Sequence, residues 1–443
     1  MTETAEQLRE QPLRKVFVKY LVPSMLGLLL MSVNIVIDGI FIGHGVGANG
    51  LAAVNIAVPV FSFFYGIALW LGIGGATTYS IYVGQGKLKE ARERFSLSFV
   101  TAVIATVLIS LVSLWRLEGL AYFFGANDEI IHEVLDYMSV ILTFGLVFVL
   151  ESLLSIFIRN DGNPMLAMVS LIVAAVGNIL LNYLFIFVYA WGVKGAAYAT
   201  VLATVIAFFV MLLHFLWPKR NLAFVPFTWR WQRLQQILSI GFPSLISEVA
   251  IALVTLGYNI AFMRLIGELG VAAFSIVNYL HSMAALMFVG IGSALQPLVS
   301  FYYGAKLYER MEESLRFAVI TALSFGLLSF GLGFGFAGPL TLMFNAEDPA
   351  LYDLTVTGIR LFFINYIFLG INIVYSTYYQ SVGLVKLSLL ITVSRSILLV
   401  LLLLVSLPFL FGTTGVWLVV PIAEGVTVLI VCFLRRYYRA LGL

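Results

Sequence analysis

Read for its hydrophobic and polar positions, the chain is a succession of long apolar runs separated by short polar loops. A run of about 20 apolar residues is long enough to cross a bilayer as a helix. Strands that cross membranes alternate in polarity over about 10 residues, and stretches such as Leu384–Leu410 have no alternation. The pattern predicts an all-α polytopic protein with twelve spans, at 16–42, 51–82, 96–116, 136–158, 165–189, 195–217, 237–264, 270–302, 317–343, 356–381, 386–410 and 415–437.

The pattern is also written twice. Pro23-Ser24 returns as Pro243-Ser244, Gly50-Leu51-Ala52-Ala53 as Gly270-Val271-Ala272-Ala273, Gly72 as Gly292, and Tyr82-Val83-Gly84 as Tyr302-Tyr303-Gly304, all at an offset of 220 residues. Arg159-Asn160-Asp161-Gly162 aligns with Gln380-Ser381-Val382-Gly383, and Gly195 with Gly415. Each half therefore carries six spans in the same order. Parallel copies of this kind are related by an axis along the membrane normal and usually flank a central binding site. Trp217–Gln236, with its charges, two prolines and interfacial tryptophans, separates the copies. The predicted organisation is an N-terminal lobe over 1–217, a linker over 218–236 and a C-terminal lobe over 237–443.

Composition agrees with the pattern: 61% of the 443 residues are hydrophobic and only 11% charged. The net charge of +3 is distributed as a positive-inside bias, with twenty of the 25 Lys and Arg on alternate flanks and the acidic pairs Asp128-Glu129 and Glu347-Asp348 on the opposite loops. Both termini are expected in the cytoplasm, of a plasma or inner membrane, and no nucleic-acid partner is expected. The single cysteine, Cys432, excludes a disulfide framework. The first nineteen residues are hydrophilic and the first apolar run is long, so it reads as a retained span rather than a signal peptide. No phosphate-binding Gly-Lys-Ser/Thr loop is present, so uphill transport would have to be driven by an ion gradient. No nucleophile–base pair or metal-ligand spacing points to an enzyme or a cofactor, and the four histidines receive no role.

The candidate chemistry lies in charges placed inside spans, where a carboxylate costs about 2.5–3.5 kcal/mol on insertion scales. Asp38 lies late in span one, Glu151 in span four, Glu248 in span seven and Glu424 in span twelve, with Arg395 mid-span in span eleven. Asn178 and Asn182 stand at i, i+4 on span five, hence on one helix face. With Thr200 of span six they can form a hydrogen-bonded cage around Asp38, able to exchange a proton or to hold Na⁺ through oxygens. Pro23, fifteen residues before Asp38, removes one backbone hydrogen bond and is the expected bend. Its copy Pro243 is kept, while Tyr258 replaces the acid. Glu248 and Glu424 are read either as a second acidic site, with Na⁺ possible at Glu248, or as one of them pairing with Arg395; the direction of Glu151 is left open. A central cleft would be lined by Met31, Asn34, Phe61, Phe64, Tyr65, Tyr137, Glu248, Tyr258, Met283 and Met287, a wall suited to lipophilic cations.

Taken together, these residues resemble the multidrug and toxic compound extrusion (MATE) family, nearer its DinF-like branch. The matching pieces are the Pro23…Asp38 span, Gly50-Leu51-Ala52-Ala53, Gly84-Gln85-Gly86, Arg159-Asn160-Asp161-Gly162-Asn163-Pro164 and Gly195-Ala196-Ala197. The resemblance implies two six-helix lobes around a V-shaped cleft and ion-driven export of organic cations by alternating access, by a monomer. It also implies a cation site on the first-span acid, matching Asp38, with partners matching Asn178, Asn182 and Thr200. Position 182 is Asn where some relatives carry Asp, which favours H⁺ over Na⁺. Acids of spans seven and ten hold Na⁺ in other members; here Glu248 is about a turn away from the matching place and span ten offers only Asn365 and Asn372. The alternatives are a lipid-linked saccharide or lipid flippase of the wider superfamily, disfavoured by the excess of buried acids, and a twelve-span facilitator, disfavoured because GQGKLKEARERF lacks an Asp-Arg pair.

Overall fold

Every predicted span is helical in the computed structural model, which describes residues 3–344 and 348–440; Glu347 of the acidic pair and the side chain of Arg439 lie outside what it describes. With no water in hydrocarbon to pair backbone groups, a spanning segment must satisfy them internally. No strand occurs among the described residues. Spans one to three are Leu13–Gly45, Ala48–Gly84 and Leu88–Trp115. Span four is a bent pair, Ile131–Thr143 and Gly145–Asn160, with an angle of 50° between its pieces. Span five runs from Pro164 to Asn182 and ends in a π-helical turn, Tyr183–Val188. Span six is Gly192–Leu216.

Spans seven to ten are Trp231–Leu265, Glu268–Gly304, Tyr308–Gly335 and Pro349–Ser381. Val385–Arg436 is one long stretch whose helical geometry fails at Gly412 (φ 54°, ψ −136°). That break divides it into spans eleven and twelve. Gly192, 220 residues earlier and also at positive φ (60°), separates spans five and six. Glycine occupies both places because an L side chain is strained there. The duplicated sequence thus produces a duplicated backbone.

The chain divides into two compact units: one reaches Leu245 and includes Ser300–Tyr308, the other comprises Ile246–Val299 and the residues from Glu309 on. In the first, helices meet backbone to backbone. A Cβ on Gly241 would collide with the Trp70 carbonyl oxygen, and one on Gly304 with that of Ile81. The Trp70 indole donates to Leu238 O at 2.7 Å in the same region. The second unit has an aromatic core in which Tyr258 stacks on Phe274 at 4.6 Å and Phe262 packs on Trp417 at 4.5 Å.

Candidate functional site

The first unit brings Asp38, Asn178, Asn182 and Thr200 into one hydrogen-bonded chain. The Asn182 amide donates to Asp38 Oδ1 and, at 3.1 Å, to Asn178 Oδ1. Asn178 Nδ2 donates to Thr200 Oγ1 at 3.1 Å, and Thr200 donates to Ala196 O at 3.1 Å. Asn178 and Asn182 are buried, while Asp38 is half-buried. Helical spacing puts both amides on the face of span five turned to spans one and six. The π-helical turn begins immediately after Asn182, and such turns often mark places where a helix departs from regularity for function.

The chain of donors has a direction and leaves oxygens over. Asp38 Oδ2 has no hydrogen-bond partner among the described residues. Asn182 Oδ1 and Asn34 Oδ1 are buried without one. Asn34 precedes Asp38 by one turn on the same helix, so both lie on one face. A carboxylate oxygen and two amide oxygens without donors can accept a proton or coordinate a hard cation. No group of three or more His, Cys, Asp or Glu suited to a metal occurs among the described residues.

The remaining predicted residues separate. Pro23 is buried within a helix that continues from Leu13 to Gly45. Met31, Asn34, Phe61 and Tyr65 are half-buried in the first unit, Phe61 against Phe148 at 5.1 Å. Met283 and Met287 are half-buried in the second unit, as is Glu248, which has no polar partner among the described residues.

Three expected wall residues are placed differently. Tyr137 is buried in the core of the first unit. Phe64 is sealed beneath Gly145, which has no side chain and leaves room for its ring. Tyr258 is fully buried in the aromatic core and accepts from Val420 N at 3.3 Å. Large apolar or amphipathic rings enter cores as readily as cleft walls, and sequence does not distinguish the two.

Glu248 and Glu424 do not form a two-acid site. Glu424 instead accepts from Arg395 at 3.2 Å and from Asn372 Nδ2 at 2.6 Å. Glu151 is buried in the first unit and accepts from Ser152 at 3.2 Å, while its Oε1 has no partner among the described residues. Among the histidines, His214 donates from Nε2 to buried Asp161 at 2.8 Å. Asp161 lies in the Arg159-Asn160-Asp161-Gly162 motif, and nothing in sequence gave it a role or linked it to His214.

These observations define a multi-pass α-helical membrane protein built from a duplicated six-span unit, with a carboxylate–amide chain inside its first copy. The MatE family model matches residues 23–184 and 243–405, one match in each copy, and the chain belongs to that family. It is similar to the multidrug export protein MepA of Staphylococcus saprophyticus subsp. saprophyticus, with 23% identity over 92% of this chain and 90% of the relative. It is likewise similar to MepA of Staphylococcus aureus (strain MRSA252), with 23% identity over 95% and 93% of the two chains. Its fold matches a solved structure of a multidrug resistance MATE family transporter of the MOP superfamily in an outward-facing conformation. That match has a TM-score of 0.93 at 24% identity and covers 100% and 99% of the two chains. A MOP superfamily transporter from Pyrococcus furiosus, described as having a binding pocket of reversed polarity, matches with a TM-score of 0.91 at 24% identity over 99% and 98%.

Proposed function

We propose that this chain is a secondary active antiporter that exports lipophilic, often cationic compounds in exchange for H⁺. The observation that carries the proposal is the Asn182–Asp38 hydrogen bond joining spans five and one, with the second carboxylate oxygen left for a proton. An ionised carboxylate is a stronger acceptor than a protonated one. Protonation at Oδ2 therefore weakens the hold of Asn182 on span one, and Pro23 supplies the place where that helix yields. Deprotonation restores the bond. Ion binding is in this way converted into a change in helix packing, which is what coupled transport requires.

Membership of the MatE family and similarity to proteins named as multidrug exporters support the substrate class. We read the protein as a monomer of the plasma or inner membrane, with both termini cytoplasmic from the distribution of basic residues. Na⁺ coupling is the second reading, favoured by the donorless oxygens of Asn34 and Asn182 beside Asp38. A flippase for phosphate-bearing lipids is disfavoured because Arg395, the cation placed mid-span in span eleven, is already paired with Glu424. The test is uptake of a fluorescent lipophilic cation by everted vesicles under a pH gradient and, separately, a Na⁺ gradient; the proposal expects the pH gradient alone to suffice and fails if neither gradient drives uptake.

A further inference from the structure

Asp161 takes no part in the coupling proposed above, yet four donors converge on its carboxylate. It is 1% exposed and sits in the turn between spans four and five, which Gly162 (φ 92°) makes possible. A buried carboxylate is tolerated only when its oxygens are hydrogen-bonded. Donors to Asp161 are the Tyr79 hydroxyl at 2.7 Å, His214 Nε2 at 2.8 Å, Asn221 N at 2.9 Å and Leu222 N at 3.0 Å. They come from span two, from the end of span six, and from the non-helical segment 217–230 that leads to span seven.

That segment is fixed along its length to the beginning of span three. Arg92 Nε donates to Asn221 O at 2.7 Å, and Val225 N donates to Ser96 Oγ at 3.0 Å. The Phe224 ring lies 4.8 Å from Phe95 and 4.9 Å from Phe99. Beyond it, Arg233 pairs with Glu93, and Arg94 donates to Arg233 O at 3.1 Å. The compact unit containing this segment continues to Leu245, two residues past Pro243.

We propose that Asp161 is a positioning residue that clamps segment 217–233 onto the first unit as a rigid arm, so that the motion of the export cycle is taken up beyond Leu245 and not in the segment joining the two repeats. The clamp stands on geometry; its bearing on export rests on the function proposed above. In the absence of such anchoring, a non-helical connection of this length is the ordinary place for movement.

The test places a nitroxide on Arg220→Cys in a Cys432→Ser background of the full chain. Arg220 is exposed and its side chain bonds the nearby Trp217 O and no other group among the described residues. Label mobility and export rate are then read together, with and without Asp161→Asn. Loss of one hydrogen bond to a charged acceptor shifts such an equilibrium by about tenfold or more. The expected result is an immobilised label in the parent, a mobile fraction raised about tenfold or more in Asp161→Asn, and slower export with the same ion dependence. His214→Leu and Tyr79→Phe, which each remove one donor, shift the label in the same direction and decide the matter if Asp161→Asn does not fold. An immobile label in these variants overturns the clamp, and a mobile label with unchanged export overturns its role in the cycle. A parent that exports nothing overturns the exporter reading, and the label alone then judges the clamp.

Discussion

Asn182 donates its amide hydrogens both to the Asp38 carboxylate of span one and to the Asn178 carbonyl one turn earlier on its own helix. Asn182→Leu keeps the volume and removes both bonds. Hydrogen bonds to charged groups are worth about 1.5–3 kcal/mol, so coupled export is expected to fall about 10- to 100-fold with little change in membrane abundance. Initial uptake rates in everted vesicles, normalised to protein, check this. A rate within twofold of the parent would remove Asn182 from the mechanism.

Pro23 lies buried in a helix that continues on both sides of it. Pro23→Ala restores the missing backbone donor and stiffens the helix. The expected outcome is a melting temperature in detergent equal to or above the parent's, with export reduced about threefold or more because a required motion is slowed. Unchanged export would mean that span one need not bend there.

Arg395 and Glu424 are an internal ion pair whose carboxylate also receives Asn372. Arg395→Met leaves that carboxylate buried without its cation, which costs about 3–5 kcal/mol. The double variant Arg395→Met/Glu424→Gln is expected to recover most of the loss, since neither charge remains. Thermal unfolding of the purified variants measures both steps. A stable single variant would show that the pair contributes nothing to the second unit.

Gly241 packs so closely on Trp70 that a Cβ would collide with its carbonyl oxygen. Backbone cannot move aside as a flexible side chain can, and overpacking costs about 1–3 kcal/mol or more. Gly241→Ala is expected to lower the yield of monodisperse protein sharply in size-exclusion chromatography, whereas Gly39→Ala, where nothing lies within 4 Å, is expected to behave as the parent.

Much of this architecture was legible in the sequence because it depends on local patterns. Apolar runs marked the spans, and the repeat marked the duplication down to Gly195 and Gly415. The i, i+4 spacing of Asn178 and Asn182 put two amides on one face, and span one met that face. Contacts between distant helices were not legible. Nothing in spacing favours Arg395 as the partner of Glu424 over Glu248 at that position, or links Asp161 to His214 across 53 residues. Tyr258, Tyr137 and Phe64 were expected on an open wall and instead fill cores, because ring burial is set by which neighbours are small, as Gly145 is for Phe64.

The central claim is that Asp38 couples export to an ion gradient. Its most direct test is uptake of a fluorescent lipophilic cation by everted vesicles carrying either the parent or Asp38→Asn. A pH gradient is imposed first without Na⁺, then a Na⁺ gradient at equal pH. The account predicts uptake by the parent under the pH gradient alone and none above empty vesicles for Asp38→Asn at equal abundance. Uphill uptake retained by Asp38→Asn would contradict it.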